Sequence, residues 1–284
     1  MSADTHNDHR GRMDGSLHIT GTPPVLVINL KWETGRWLKI ESSLRQRGFS
    51  CIRVSAVDSR RRMRLVHSRI VRRFHCESEH RGLTPGEICC ALSHIAALKR
   101  VVRRHMPYAI ILEDDAVIGD RFERFVAEDL RAFFAKCDIV KLEGFDIGTR
   151  DPKRGLVVTH GACASLLVPF RPTMGAAAYA VTRAGAIRLL RRFSALSDTV
   201  DHMLVYYEWH GIRYGEVRPV VVWQDTVASS LATERDRAQS GRAAARSPRA
   251  LWKLIVHDGL RRALRVLALG YCALRFRTLT VDAI

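Results

Sequence analysis

The sequence predicts an α/β protein in which a largely parallel sheet is covered by helices. A buried apolar strand at residues 25–30 precedes an amphipathic helix and a second β-prone segment at 49–57. A helix with a clear start at Thr84 precedes another apolar strand at 108–112. The chain has 284 residues, 47% of them hydrophobic and 26% charged, which indicates a globular protein of one large domain or one and a half.

The helices are predicted from periodicity and from their end signals. Trp37, Ile40 and Leu44 recur at three- and four-residue spacing, and Gly48 is a typical terminator. In the next helix Thr84 is the N-cap and Glu87 completes a capping box around Pro85. We therefore expect this second helix to begin at residue 85.

Four further elements complete the predicted domain. A strand at 138–142 ends at Glu143, and a strand of small residues at 175–181 leads into a helix at 183–192. A last β segment covers 217–223, where Pro219 favours an edge position. The domain is expected to span residues 23–233.

The two ends of the chain have different compositions. Residues 1–22 are polar and predict a disordered tail, and residues 234–250 predict a linker. Residues 251–284 predict a basic amphipathic helical tail, because apolar side chains share one side and Lys and Arg the other. Such a helix suits anionic inner-leaflet lipids, and packing on the domain is the alternative.

The net charge of +17 is unevenly distributed. Residues 235–284 hold eleven basic and three acidic residues, and residues 60–73 hold seven arginines. A basic nucleic-acid-binding protein is therefore one alternative function. No zinc-ligand spacing, RNP-like motif or helix-turn-helix accompanies the arginines, so no nucleic-acid partner is expected.

Cysteine usage and the absence of targeting signals predict the location. The seven cysteines include no CxxC pair, and residues 1–22 lack the apolar core of a signal peptide. No apolar run has the length of a membrane span. We expect a cytoplasmic protein, peripheral on the inner face of the membrane.

Three consecutive carboxylates, Glu113-Asp114-Asp115, follow the strand at 108–112. Like charges at this spacing repel unless a cation compensates them, and ligands bind at the carboxyl ends of strands in such sheets. Residues alternate in direction along an extended chain, so Glu113 and Asp115 are predicted to share Mn²⁺ or Mg²⁺. A solvated acidic turn is the alternative.

A divalent cation at a strand end suits reactions in which a diphosphate leaves. Nucleotide-sugar-dependent glycosyl transfer is one such reaction, and a metal-dependent phosphotransferase or nuclease is the alternative. The chain has neither a GxxxxGK[ST] loop nor a GxGxxG motif, which excludes an ordinary P-loop enzyme.

Several motifs, in order between residues 25 and 231, resemble glycosyltransferase family 25, the lipopolysaccharide and lipooligosaccharide glycosyltransferases. They are Val27-Ile-Asn-Leu30 with Arg36, Ala56-Val-Asp58, Leu83-Thr-Pro-Gly-Glu-Ile88, Ala91-Leu-Ser-His94, Leu112-Glu-Asp-Asp115, Lys141-Leu-Glu143, Gly175-Ala-Ala-Ala-Tyr179, Val200-Asp201, Arg218-Pro219, Gln224-Asp225 and Ser229-Ser230. Ser59 departs from the family, in which a glycine usually follows the Ala-Val-Asp triplet.

The resemblance implies a GT-A-like (Rossmann-like) nucleotide-sugar-binding domain and an inverting, metal-dependent transferase. Its donor is a UDP-sugar, most often UDP-galactose, and its acceptor a lipopolysaccharide- or lipooligosaccharide-type glycan or glycolipid. An Asp-x-Asp-like motif implies Mn²⁺ (or Mg²⁺) on Glu113 and Asp115.

Site residues follow by similarity. Inversion requires one base that deprotonates the acceptor hydroxyl, and Asp201 is the first candidate and Glu143 the second. The alternative for each is a helix cap or a surface acid. The expected donor-binding residues are Asn29, Arg36, Asp58, Glu87, Ser93, His94 and Asp114.

Overall fold

The computed structural model describes residues 21–60, 75–76, 81–144, 155–169, 172–193, 198–205 and 211–225. The predicted linker at 234–250, the helical tail at 251–284, nearly all of the predicted tail at 1–22 and most of the arginine cluster at 60–73 lie outside these residues. No described helix is long and apolar enough to span a bilayer.

The main sheet has eight strands in the order β2-β1-β5-β11-β7-β12-β10-β9. Their bounds are β1 Val25–Asn29, β2 Cys51–Ser55, β5 Tyr108–Glu113, β7 Ile139–Lys141, β9 Gly155–His160, β10 Ser165–Pro169, β11 Ala178–Thr182 and β12 Tyr214–Arg218. β2, β1 and β5 run parallel, as the sequence predicts. β11 is antiparallel to both β5 and β7, so the sheet is mixed.

Two smaller sheets accompany the main one. β6 (Ala116–Ile118), β13 (Val222–Gln224) and β8 (Glu143–Gly144) form a three-stranded sheet, and β3 (His75–Cys76) pairs with β4 (Arg81–Gly82). The prediction of a single edge strand at 217–223 is wrong, because Pro219 lies between β12 and β13. β12 is an inner strand between β7 and β10, and β13 is the middle strand of the small sheet.

The described helices are α1 Thr34–Gln46, α2 Pro85–Arg103, α3 Phe122–Glu128, α4 Leu130–Lys136, α5 Arg183–Phe193 and α6 Val200–Val205. Both halves of the predicted capping box are present at the start of α2: the Glu87 N–H donates to Thr84 Oγ1, and the Thr84 N–H donates to Glu87 Oε2. Gly48 follows α1 with φ +78°, which a glycine adopts without strain. These sequence predictions are confirmed.

Two apolar layers cover the main sheet, one on each face. α2, α5 and α6 contribute to the layer that includes Leu26, Ile28, Ala109 and Ile111. α1, α3 and α4 contribute to the opposite layer, with Val25, Val27, Ile110 and Leu112. Alternating residues of β1 and β5 therefore enter opposite layers, and this alternation continues to the strand ends.

Asp129, between α3 and α4, closes the turn that joins β9 to β10. Its buried carboxylate accepts the N–H groups of Ala162, Cys163 (3.0 Å) and Ala164 (2.9 Å) and the Cys163 thiol. A Cβ added at Gly161 would lie 2.3 Å from this carboxyl group, so the turn requires glycine there. Burial alone raises the Asp129 pKa, but these hydrogen bonds outweigh it and lower the pKa.

Asp129→Asn is expected to lower the free energy of unfolding at neutral pH by about 1–3 kcal/mol, because Asn has one acceptor oxygen for four donors. The folded pKa is depressed, so this stabilisation is present above the unfolded pKa and is lost as pH falls through the folded pKa. Urea unfolding from pH 7 to pH 3 should show the two proteins converging at the acidic end. A difference that is constant with pH would contradict this, and the exposed Asp120→Asn is the control.

Candidate active site

The ends of the three parallel strands bring several predicted site residues together. Asn29 ends β1, and its Nδ2 donates to Asp114 Oδ2 at 2.6 Å and to the Glu33 carbonyl at 3.0 Å. Arg53 of β2 donates from Nε to Asn29 Oδ1 at 2.8 Å. The Asn29 amide therefore connects the end of β1 to both β2 and the acidic segment that follows β5.

The three consecutive carboxylates do not all face the same side of the sheet. Glu113 is the last residue of β5 and lies on the same face as Ile111, towards α2. Asp114 lies on the opposite face, where it meets Arg36 of α1. Asp115 is already in the turn after β5, so strand alternation does not place it beside Glu113. Their joint metal ligation stays a prediction.

Asp114 is held by polar groups from β1 and α1. In addition to the Asn29 amide, Arg36 Nη1 lies 3.5 Å from Asp114 Oδ1. Burial raises the pKa of Asp114, while the Asn29 hydrogen bond and the Arg36 charge partly offset that effect. Both partners thus stabilise the ionised form.

Asp115 carries the clearest sign of a missing positive partner. Its Oδ2 accepts from Gln224 Nε2 at 2.8 Å, whereas its Oδ1 is buried without a hydrogen-bond partner among the described residues. Burial, followed by the charge of Glu113, raises the pKa of Asp115 to about 7. A buried, unpartnered carboxylate oxygen near two other acids fits a hard divalent cation.

Glu113 belongs to a polar cluster beneath α2. His94 Nε2 lies 2.9 Å from Glu113 Oε1, and His94 Nδ1 lies 3.1 Å from the Tyr179 hydroxyl of β11. Cys90 Sγ lies 3.7 Å from the same Glu113 oxygen. His94 and Tyr179 are fully or almost fully buried, so these contacts determine where the Glu113 carboxylate points.

Two other expected donor-binding residues of α2 have internal partners. Ser93 Oγ accepts the Val57 N–H at 2.9 Å and donates to the Cys89 carbonyl at 2.6 Å. Glu87 is 2% exposed and serves as the capping-box partner of Thr84. Ser93 therefore joins α2 to the segment after β2, and Glu87 stabilises the start of α2.

Asp58 organises the segment after β2. Its Oδ2 accepts from the Trp32 indole at 3.0 Å, and its Oδ1 accepts the Arg60 N–H at 2.9 Å. The Arg60 guanidinium lies 4.6 Å from the centroid of the Trp32 ring. Trp32 is 38% exposed, which leaves part of an aromatic surface accessible beside the strand ends.

A cleft with about 90 Å³ of internal space opens between α1 and the segment after β5. Its charged lining consists of Arg36, Lys39, Asp114, Asp115 and Asp225. Lys39 Nζ pairs with Asp225 Oδ2 at 2.8 Å, and the Asp225 N–H donates to the Asp115 carbonyl at 2.9 Å. The positively charged side chains of Arg36 and Lys39 therefore line the same cleft as the acidic turn at residues 114–115.

Glu143, the second candidate base, is in a buried ion pair. Its Oε1 lies 3.1 Å from Lys141 Nζ and accepts the Ala177 N–H at 2.8 Å. The Lys141 ammonium also donates to the carbonyls of Met174 (2.9 Å) and Gly175 (2.6 Å). Burial raises the pKa of Glu143, and Lys141 partly offsets this. At 2% exposure, Glu143 is closed to solvent in this conformation.

Asp201, the first candidate base, lies in the first turn of α6. Its Oδ1 is buried and has no hydrogen-bond partner among the described residues. Leu204, one turn further along α6, lines a small cavity together with Glu143 and Tyr179. No described hydrogen bond joins Asp201 to Glu143 or to the acidic segment, so its role as the base stays a prediction.

Sequence reasoning did not assign roles to Trp32, Lys39, Cys90, Tyr179 and Gln224. Gln224 was part of a recognisable motif, and an exposed tryptophan directly after a buried strand was a usable signal. Tyr179 was likewise the last residue of a recognisable motif, whereas Cys90 had no such signal, because a helical cysteine is an ordinary core residue.

Comparisons with known proteins place the chain among the glycosyltransferases. The profile of glycosyltransferase family 25, described as an LPS biosynthesis protein, matches residues 22–204. The chain belongs to this family, and its α/β sheet with helices on both faces confirms the predicted GT-A-like fold class.

Two relatives illustrate the similarity. The chain is 28% identical over 139 residues to the lipooligosaccharide biosynthesis protein lic2B of Haemophilus influenzae, covering 48% of this chain and 51% of that protein. It is 28% identical over 158 residues to the lacto-N-neotetraose biosynthesis glycosyltransferase LgtB of Neisseria meningitidis serogroup B, covering 52% of this chain and 57% of that one. The chain spans about half the length of these relatives.

A structural comparison also found the crystal structure of a glycosyltransferase involved in the glycosylation of the major capsid of PBCV-1. It covers 78% of this chain and 100% of that one, with a TM-score of 0.42 and 6% sequence identity.

Proposed function

We propose that the chain transfers a sugar, in the first instance galactose, from a UDP-sugar to a lipopolysaccharide- or lipooligosaccharide-type glycan, with inversion at the anomeric carbon. The observation that carries the metal-dependent part is the buried, unpartnered Oδ1 of Asp115. Family 25 membership supports glycosyl transfer as the reaction class.

Asp115 is the proposed ligand of Mn²⁺ (or Mg²⁺), with Glu113 as the second candidate ligand. Gln224 donates to one Asp115 oxygen, and the other is buried without a hydrogen-bond partner among the described residues. A divalent cation there would offset the charge that develops on a departing diphosphate. Hard oxygen ligands and few protein contacts are typical of cations held jointly with substrate phosphates.

Arg36 and Lys39 are the proposed diphosphate-binding side chains. Both line the cleft next to Asp115, and each now pairs with a carboxylate, Asp114 and Asp225 respectively. Phosphate oxygens can replace these weak, partly exposed pairs at little cost, because exposed ion pairs contribute only about 0–1 kcal/mol. An arginine also offers two parallel N–H groups to a phosphate.

Asn29, Asp58 and Trp32 are the proposed nucleoside side of the site. Asp58 follows β2, where its carboxylate and the Trp32 indole can meet a ribose or a base. Asn29, at the end of β1, is 1% exposed and supports the site by holding Asp114 and Arg53 in place. The accessible face of Trp32 adds a surface on which a uracil ring can stack.

The acceptor is proposed from the relatives, whose names concern lipooligosaccharide and lacto-N-neotetraose biosynthesis. Residues 251–284 lie outside the described residues, so their binding to anionic lipids and the cytoplasmic, inner-face location stay predictions.

Asp201→Asn is expected to lower kcat by about 10²–10⁴-fold with little change in the KM for the donor, because it removes a proton acceptor and keeps the side-chain shape. Steady-state kinetics with a saturating acceptor measures this. Glu143→Gln is the comparison: a large kcat loss in that variant, together with a normal rate in Asp201→Asn, would make Glu143 the base instead.

The proposed function is tested by measuring UDP release from a panel of UDP-sugars with Mn²⁺ and after EDTA treatment. We expect turnover of UDP-galactose that depends on metal. Nucleoside triphosphates and DNA are the parallel substrates. Turnover of either, with all UDP-sugars unreacted, would favour the phosphotransferase or nuclease alternative and refute the proposal.

A further inference from the structure

Three unlike ligand atoms converge where α2 passes the end of β5. Cys90 Sγ, His94 Nε2 and a carboxylate oxygen of Glu113 all lie within 4.8 Å of one another. Among the described residues, these three form the one group of three or more His, Cys, Asp or Glu side chains with this proximity.

The local structure explains this convergence. Cys90 and His94 are four residues apart on α2, so they share one face of the helix. Glu113 points to the same side because it continues the Ile111 face of β5. The capping box at Thr84 and the apolar stripe of α2 hold the helix against the sheet and so fix the spacing.

Tyr179 contacts the ring nitrogen of His94 that does not face Glu113, which is the usual position of the hydrogen-bond partner of a metal-binding histidine. Its buried hydroxyl lies 3.1 Å from His94 Nδ1, and the two rings stack with centroids 5.7 Å apart. A phenol can accept the Nδ1 proton, which leaves Nε2 free to bind a cation. The arrangement aims Nε2 at the Glu113 carboxylate.

The distances suit a small tetrahedral cation. Usual zinc bond lengths place sulfur and oxygen ligands roughly 3.6 Å apart and nitrogen and oxygen ligands roughly 3.4 Å apart. The sulfur–oxygen separation here is 3.7 Å, and the nitrogen–oxygen separation of 2.9 Å must widen to hold a cation. The Glu113 side chain is 23% exposed and Cys90 is partly exposed, which gives a cation a route from solvent.

We propose that Cys90, His94 and Glu113 form a binding site for a thiophilic divalent cation of the Zn²⁺ class. A thiolate and an imidazole select such a cation over Mn²⁺ and Mg²⁺, which prefer oxygen ligands. The site shares only Glu113 with the one proposed at Asp115, and its sulfur and nitrogen ligands distinguish it chemically. Three protein ligands leave a fourth position for water or another small ligand.

Cobalt titration of the metal-free full chain tests this proposal and needs neither donor nor acceptor. Tetrahedral Co²⁺ bound to a thiolate is expected to show a sulfur-to-cobalt charge-transfer band in the near ultraviolet, which Zn²⁺ then abolishes by displacement. Cys90→Ser should remove the band, and Tyr179→Phe should weaken Co²⁺ binding by about 10–100-fold.

Two controls separate this site from other cysteines and from the proposed catalytic metal. Cys51→Ser, on β2 away from the cluster, and Asp115→Ala should both keep the band. His94→Gln and a Zn²⁺-induced rise in the Tm of the wild-type chain provide readouts that do not depend on the folding of Cys90→Ser. Absence of the band in the wild type, or its persistence in Cys90→Ser, would overturn the proposal, whatever the outcome of the UDP-sugar assay.

Discussion

Replacing Asp115 with alanine is expected to lower metal-dependent turnover of the UDP-sugar donor by about 10³-fold, while the chain stays folded. The activity loss follows from removing the proposed cation ligand, and stabilisation of a leaving group by a bound cation is worth several kcal/mol, about tenfold in rate per 1.4 kcal/mol. The fold is expected to survive because the Asp115 carboxylate destabilises the folded state when no cation is bound. Its Oδ1 is buried without a hydrogen-bond partner among the described residues, and Glu113 repels it.

The measurement combines three readouts on the same preparation. UDP release gives turnover, loss of the free Mn²⁺ electron paramagnetic resonance signal gives metal binding, and thermal unfolding gives stability. We expect Asp115→Ala to lose the first two and to have a Tm equal to or above that of the wild type. Asp120→Ala, an exposed acid five residues along, is the matched control. Unchanged turnover in Asp115→Ala would refute the metal assignment.

Lys141→Met is expected to lower the free energy of unfolding by about 3–5 kcal/mol, the usual cost of leaving a buried charge without its partner. The ammonium is 2% exposed, lies 3.1 Å from Glu143 and donates to two backbone carbonyls, so all three of its protons are used. Methionine fills the volume but supplies none of these contacts. Urea unfolding at pH 7 measures the difference.

A double variant shows how much of this loss comes from the stranded charge. Lys141→Met with Glu143→Gln should recover part of the stability, because no buried charge then remains, although the Met174 and Gly175 carbonyls still lack their donor. Lys39→Met removes an exposed pair and should cost less than about 1 kcal/mol. A Lys141→Met effect as small as that of Lys39→Met would contradict the prediction.

Local signals predicted much of the fold. The apolar runs of β1 and β5, the spacing in α1 and the capping box of α2 are all decided by residues close in sequence. Strand direction and sheet order depend on partners that are distant in sequence. The antiparallel placement of β11 and the division of 217–223 between two sheets could therefore not be predicted from local signals. In particular, Pro219 predicted an edge although β12 is internal.

The sequence predicted which residues belong to the site better than it predicted how their side chains are arranged. Asn29, Arg36 and Asp114 do meet, because parallel strands end at one edge of the sheet. The partners of Glu113 could not be predicted, since they depend on how α2 lies across β5 and on Tyr179 arriving from β11. Alternation alone could not direct Asp115, because the strand ends before it.

The position of β11 determines when during synthesis the site can exist. β5 and β7 carry Glu113 and lead to Glu143, yet they are not neighbours: β11, residues 178–182, lies between them and pairs with both. A nascent chain that has emerged only to the end of β7 cannot join these two strands as they are joined in the finished sheet. Glu113 and Glu143 therefore reach their final environments only after β11, which comes later in the chain, has inserted between β5 and β7. Strand pairing between segments so far apart in sequence raises the contact order and slows folding.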